Sequence, residues 1–121
     1  MRHLPLLLGL ILLAACTTTK PPPGSFDDAE EAITAAENAG AEDHSPVELK
    51  FAREKLQAAH DAMASKQYDQ AIYLVEQSQI NSELAIEKTR AAEIRARVTE
   101  LSRENEILRE DYETTYGEAF E

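Results

Sequence analysis

The sequence predicts an all-α fold: a helical hairpin with a short helix before it and a long helix, a coiled-coil candidate, at its end. Three observations carry this. Helix-favouring Ala, Glu, Leu, Gln, Lys and Arg dominate the 121 residues, and there is no Trp to build a large aromatic core. The four Gly and five Pro cluster outside the periodic stretches and punctuate them. Within those stretches apolar residues return at spacings of three and four, the period of one helix face.

Residues 1–15 read as a secretion signal, with Met1, Arg2 and His3 as a positive start, an apolar run from Leu4 to Leu13, and small residues Ala14 and Ala15 before Cys16. The run is too short to cross a bilayer as a helix, which takes ~20 residues. The segment Leu13-Ala14-Ala15-Cys16 resembles the lipobox of bacterial lipoproteins. That resemblance implies lipid on the Cys16 thiol, removal of residues 1–15, acylation of the new amine, and a membrane as the chain's first partner. Acyl chains bury ~0.8 kcal/mol per methylene, so such an anchor is effectively permanent. The alternative is an ordinary secreted chain with an idle cysteine. Lipoproteins kept at the inner membrane often carry Asp in the place of Thr17, so the resemblance implies the periplasmic face of the outer membrane.

Residues 16–24 form the expected tether. Thr17 to Gly24 reads TTTKPPPG, and three consecutive prolines favour an extended polyproline II spacer over helix.

Residues 25–86 are the expected Ala-rich helical domain. Ser25 is placed as an N-cap, with Asp27, Asp28, Glu30 and Glu31 in the turns where the helix dipole favours acids. Ala29, Ala32, Ile33 and Ala36 share one narrow face, and Gly40 stands where a helix-ending glycine is expected. Ser45-Pro46-Val47-Glu48 is a strong start signal, a Ser cap with Pro at the first position and Glu completing a capping box. Leu49, Ala52, Leu56, Ala59 and Met63 follow on one stripe, which breaks at Ser65-Lys66-Gln67. Tyr68-Asp69 opens the next helix, through Ala71, Ile72, Val75, Ser78, Gln79, Ser82 and Ile86. So short a link predicts an antiparallel hairpin.

Phe51 to Val75 resembles one tetratricopeptide-like helix pair, in Leu56, Ala59, Tyr68-Asp69 and Ala71. No second copy follows at that period, so a single Ala-rich hairpin is expected. The stretches at Asp28-Ala29-Glu30, His44-Ser45-Pro46-Val47-Glu48-Leu49, Ala52-Arg53-Glu54-Lys55-Leu56, Tyr68 to Ala71, and Ala85 resemble short helical lipoproteins of the Gram-negative envelope that are classed as a domain of unknown function. The resemblance covers roughly residues 25 to 90. Some such relatives carry an OmpA-like peptidoglycan-binding domain after the helices. Residues 91–121 offer no room for one, so peptidoglycan binding is not carried over.

Residues 87–121 are expected as an extended helix with a frayed end at 117–121. From Leu84 a heptad puts Leu84, Ala91, Val98, Asn105 and Tyr112 at a, and Glu87, Ile94, Leu101 and Leu108 at d. The candidate oligomer seam is Leu84, Ala91, Ile94, Val98, Leu101, Asn105, Leu108 and Tyr112. A buried Asn at a is costly unless it meets a polar partner, which a second copy in parallel supplies. Glu104 and Arg109 pair between chains in that arrangement. Arg90 and Arg95 repel, and Glu87 interrupts the seam. A homodimer and a single helix, solvated or folded back on its own hairpin, stand as equal readings.

Charge narrows the function. The net −11 becomes one unit more negative when Arg2 leaves with the signal. Nucleic acid, whose phosphates call for clustered Lys and Arg, is excluded as a partner. Residues 25–86 carry thirteen acids against four bases, and residues 87–111 seven against six, a division that suggests two functional segments. The single cysteine leaves no intramolecular disulfide. His44 and His60 are expected in solvent, without a ligand set at metal spacing, and no cofactor site is expected. No nucleophile elbow, phosphate loop or catalytic carboxylate pair is present, so the chain is expected not to be an enzyme. Tyr68, Tyr73, Tyr112 and Tyr116 are read as packing or interface residues.

The function expected is a lipid-anchored, non-catalytic scaffold or adaptor of the outer membrane, acting on an envelope protein or on itself through its helices. The alternatives are a regulatory subunit of a peptidoglycan-processing enzyme and a small-ligand binder; the latter needs a hydrophobic cavity that Ala-rich faces do not predict.

Overall fold

The computed structural model describes residues 19–117. The signal segment, Cys16, Thr17 and residues 118–121 of the expected frayed end lie outside the described residues. Those described form four helices and no strand: α1 (Ser25–Asn38), α2 (Ala41–His44), α3 (Pro46–Ala64) and α4 (Tyr68–Tyr116). The fold is all-α, with the expected hairpin in α3 and α4 and the short helix before it.

The helices run up, down and up. Ser78 Oγ on α4 donates to the Ala52 carbonyl of α3 at 2.9 Å, and Ser45, before α3, reaches Ala85, so α3 and α4 are antiparallel. Pro22 and Ser25, where α1 begins, line a hollow with Ile72 and Val75. A Cβ added to Gly40 would lie 4.0 Å from Thr89 Cγ2, so α1 runs alongside α4 in the same direction. The 65–67 turn and the tether share the lower end of the body, and α2 closes the upper end.

The buried apolar residues are mostly alanines: Ala29, Ile33 and Ala36 from α1, Leu49, Ala52, Leu56, Ala59 and Ala62 from α3, and Ala71, Leu74, Val75 and Ala85 from α4. Ala29, Ala36, Ala52, Ala59, Ala71 and Ala85 are fully covered, which is possible only where backbones approach closely. The expected stripe on α3 holds, with Ala62 buried and Met63 packed at its margin. On α4 the buried face is turned from expectation. Leu74, Ala85 and Thr89 are buried, whereas Ile72, Gln79 and Ile86 are half-buried. The reason is that α4 serves α3 and α1 together, so its covered arc is wider than a single-neighbour stripe.

Three local expectations are corrected. Ser25 is not the N-cap of α1; Gly24 is, at φ 87°, while the Ser25 hydroxyl donates to the Pro22 carbonyl at 3.0 Å. Ser45 is the N-cap of α3 and Pro46 starts it, but no side-chain cap forms. The Ser45 hydroxyl is drawn into the body instead, 2.6 Å from the Ala85 carbonyl and 2.8 Å from Thr89 Oγ1. Thr89 Oγ1 also lies 2.8 Å from that carbonyl, so two hydroxyl protons serve three short contacts. The tether is not wholly a free spacer either, because Pro21 is buried and Pro22 and Pro23 lie against α4.

The α3–α4 turn is a Schellman motif. The Gln67 N–H donates to the Ala62 carbonyl at 2.9 Å and the Lys66 N–H to Met63 at 3.0 Å, which puts the left-handed residue at Lys66, φ 58°. At the end of α1 the same left-handed place is held by Gly40, φ 83°. A side chain in this conformation costs roughly 1–2 kcal/mol, partly offset by the chain entropy glycine loses on folding. Lys66→Gly is therefore expected to stabilise the fold by about 0.5–1 kcal/mol, read as a higher urea midpoint. An unchanged or lower midpoint would contradict the strained turn.

Candidate interaction surface

α4 contains no Gly or Pro from Tyr68 to Tyr116 and runs unbroken for 49 residues, ~73 Å at 1.5 Å per residue. Its last fully buried side chain is Thr89; Ala91 and Ala92 are half-covered and every residue from 93 to 117 is exposed. The packed body thus reaches about one turn past residue 86, held by the Ser45–Thr89 contact. Beyond it α4 is a bare arm that touches neither α1 nor α3. Of the readings left open by the sequence, the one in which this segment folds back on its own hairpin is not what the structure contains.

Two ionic contacts brace the body below the arm. Lys88 on α4 hydrogen-bonds Glu48 in the first turn of α3. That contact uses the carboxylate expected for the capping box, and the Glu48 side chain is only 14 % exposed. The Lys88 hydrogen bond holds the Glu48 carboxyl below its ordinary value, helped by a bond to the backbone of Glu48 itself. On the other side Arg53 of α3 meets Glu42 of α2 at 2.9 Å and Glu37 of α1 at 2.6 Å. These two hydrogen bonds raise the guanidinium's pKa, Glu42 contributing most.

The arm is supported only by its own turns. Arg90 pairs with Glu87 at 2.5 Å and Arg109 with Glu106 at 2.5 Å, both at helical spacing, each worth a few tenths of a kcal/mol, ~0.3–0.5. Asn105 Nδ2 donates to the Leu101 carbonyl at 2.8 Å, which uses one of its two amide protons and leaves its carboxamide oxygen outside that bond. The Tyr112 and Tyr116 rings lie 5.1 Å apart.

All eight candidate seam residues fall on α4. Leu84, Ile94, Val98, Leu101, Leu108 and Tyr112 are between 43 % and 65 % exposed, Asn105 is exposed and Ala91 half-buried. They share one slowly drifting line along the helix, as a heptad requires. Upstream of Leu84 the same line includes Ile80 and Tyr73, both 54 % exposed, on the side of α4 turned away from α1 and α3. Ile80 was missed from sequence because the core stripe of the hairpin was followed there instead. One step back along the heptad from Leu84, from a to the preceding d, would have found it.

His60 stacks obliquely on Phe26 with ring centroids 4.7 Å apart and lies 3.8 Å from Glu30; His44 is exposed. Among the described residues no group of His, Cys, Asp and Glu is placed to hold a metal ion, and no helix is long and apolar enough to cross a membrane. The hollow beside Phe51, Lys55, Ala58 and Gln77 is open and partly polar.

A family model described as a domain of unknown function, DUF4398, matches residues 25–101, the body and the first turns of the arm. No curated protein and no solved structure matches the chain.

The Glu48–Lys88 pair gives a pH signature. A carboxyl whose folded-state pKa lies below its unfolded value stabilises the fold above the unfolded value, and that contribution is lost as pH falls through the folded one. The wild-type urea midpoint should therefore fall as pH drops below the ordinary carboxyl value of 4.5. Glu48→Gln should remove part of that slope while lowering the midpoint at pH 7. Parallel midpoint curves for the two proteins would show that the pair does not support the fold.

Proposed function

We propose that this chain, which belongs to the DUF4398 family, is a lipid-anchored, non-catalytic scaffold or adaptor. In this reading it is held at the periplasmic face of the outer membrane by lipid on Cys16 and acts through protein contacts made along α4. The polarity of the body is the observation that carries it. The tether packs beside the first turns of α4, at Ile72 and Val75, and the bare half of the same helix leaves from the opposite end.

An anchor on Cys16 would stand five residue steps from the buried Pro21, at most ~18 Å of extended chain. The lipid would then hold the body close to the membrane surface, while the exposed stretch from residue 93 to Tyr116 extends ~36 Å past it. Apolar side chains displayed at regular spacing on such an arm are suited to a partner helix. The open, partly polar hollows lend little support to a small-ligand binder. A regulatory role toward a peptidoglycan-processing enzyme is one form of the adaptor, separated from others by which protein the arm meets.

In a Gram-negative cell, Cys16→Ala is expected to accumulate as uncleaved precursor, to lose incorporation of labelled fatty acid, and to leave the outer-membrane fraction. Normal labelling of that variant would overturn the anchor. Crosslinking from the arm in intact cells, read by mass spectrometry, identifies the protein it meets.

A further inference from the structure

We propose that α4 pairs with α4 of a second copy, parallel and in register, along its whole outer face from Tyr73 to Tyr112. This commits the occupant of the docking arm and deepens the functional reading, but the pairing itself rests on the surface of α4 and not on the anchor.

The line spans 40 residues, nearly six heptads, with Gln77, Glu87 and Asn105 as its polar members; three or four heptads are the length at which such a pattern argues for a coiled coil. Over the body it lies on the back of α4, opposite the arc that meets α1 and α3. A partner helix running its full length therefore displaces neither neighbour. Self-pairing is favoured by what flanks and fills the line. In a parallel pair Asn105 faces Asn105 of the copy and the two carboxamides satisfy each other, a feature that fixes register and two-strandedness. In the antiparallel alternative that aligns the same seam, Asn105 would face Ile94 and lose that partner. Parallel pairing also sets Glu104 toward Arg109 of the copy, twice over by symmetry.

Two features oppose pairing, and the structure moderates both. Glu87 occupies a d position, but Arg90 folds back on it at 2.5 Å and neutralises its charge at the seam. The same contact draws Arg90 away from Arg95 of the copy, the like-charged flanking pair of the parallel register. Both copies also emerge in the same direction, so two chains tethered to one membrane meet without either reversing.

The test uses the full-length chain in cells. Cys16 is its only cysteine, so each added thiol reports one position, and the parent chain shows any link made by Cys16 itself. Tyr73→Cys, Leu84→Cys and Leu108→Cys are each expected to form a disulfide-linked homodimer on mild oxidation. Thr99→Cys, off the seam, is expected to stay monomeric. Asn105→Leu alone should keep the helix and yield species larger than a dimer in sedimentation equilibrium.

Linkage only in a mixture of Ala91→Cys and Leu108→Cys chains would overturn the parallel register. Links at 84 and 108 without one at 73 would overturn the extension over the body. Absence of every link, with a monomer in sedimentation equilibrium, would overturn self-pairing altogether. That last result leaves the adaptor reading to be judged on the fate of the Cys16→Ala chain.

Discussion

The close contact of α3 with α4 is the constraint from which the rest of the molecule follows. Ala52, Ala59, Ala71 and Ala85 have no bulk to hold two helices apart, and Ser78 uses that proximity to donate a hydrogen bond to the backbone of α3. Smooth alanine surfaces supply few knobs to fix how one helix slides along the other. Hydroxyls supply the register instead. Ser78 pins the middle of the hairpin, the Schellman turn its lower end, and the Ser45–Thr89 contact its upper end. The two hydroxyl contacts are directional bonds between buried groups, where a slip would leave donors and carbonyls unpaired at a cost of about 1–3 kcal/mol each.

The same constraint explains the placement of α1 and α2. Once the hairpin is formed, the groove between α3 and α4 is shallow, and a helix whose own face is Ala29, Ile33 and Ala36 can lie in it. Gly40 lets the chain turn out of α1 close to Thr89, and Arg53 joins the end of α1, the single turn of α2 and α3 through two carboxylates. The upper end of the body is therefore tied by charge as well as by packing, at the point where α4 leaves it.

Much of this was legible in the sequence. The helix starts and stops at Ser45-Pro46, at Ser65-Lys66-Gln67 and at Gly40 are written in residues with strong conformational preferences, and the stripe Leu49, Ala52, Leu56 and Ala59 follows from spacing alone. What escaped depended on neighbours distant in the chain. Ser45 and Glu48 have the form of a capping box, but Ala85, Thr89 and Lys88, some forty residues on, draw both side chains away from the local role. The face of α4 was misjudged for a related reason: α4 packs on two helices, and a one-sided stripe cannot anticipate the second. The single turn of α2 was also missed, since four residues are too few to show a period. From Leu84 onward the expected line coincides with exposed apolar side chains of α4, at Ile94, Val98, Leu101, Leu108 and Tyr112.

One helix is both a wall of the body and the whole of the arm, so the arm inherits a rotational phase from the body as well as a length. Each residue added beyond Ala92 would lengthen it by only ~1.5 Å but swing everything distal by ~100° about the axis. Seven residues would restore the phase to within ~20° and advance the tip by ~10 Å. Growth or shortening of this molecule is accordingly quantised: only changes of whole heptads keep the stripe at the tip in line with the stripe over the body.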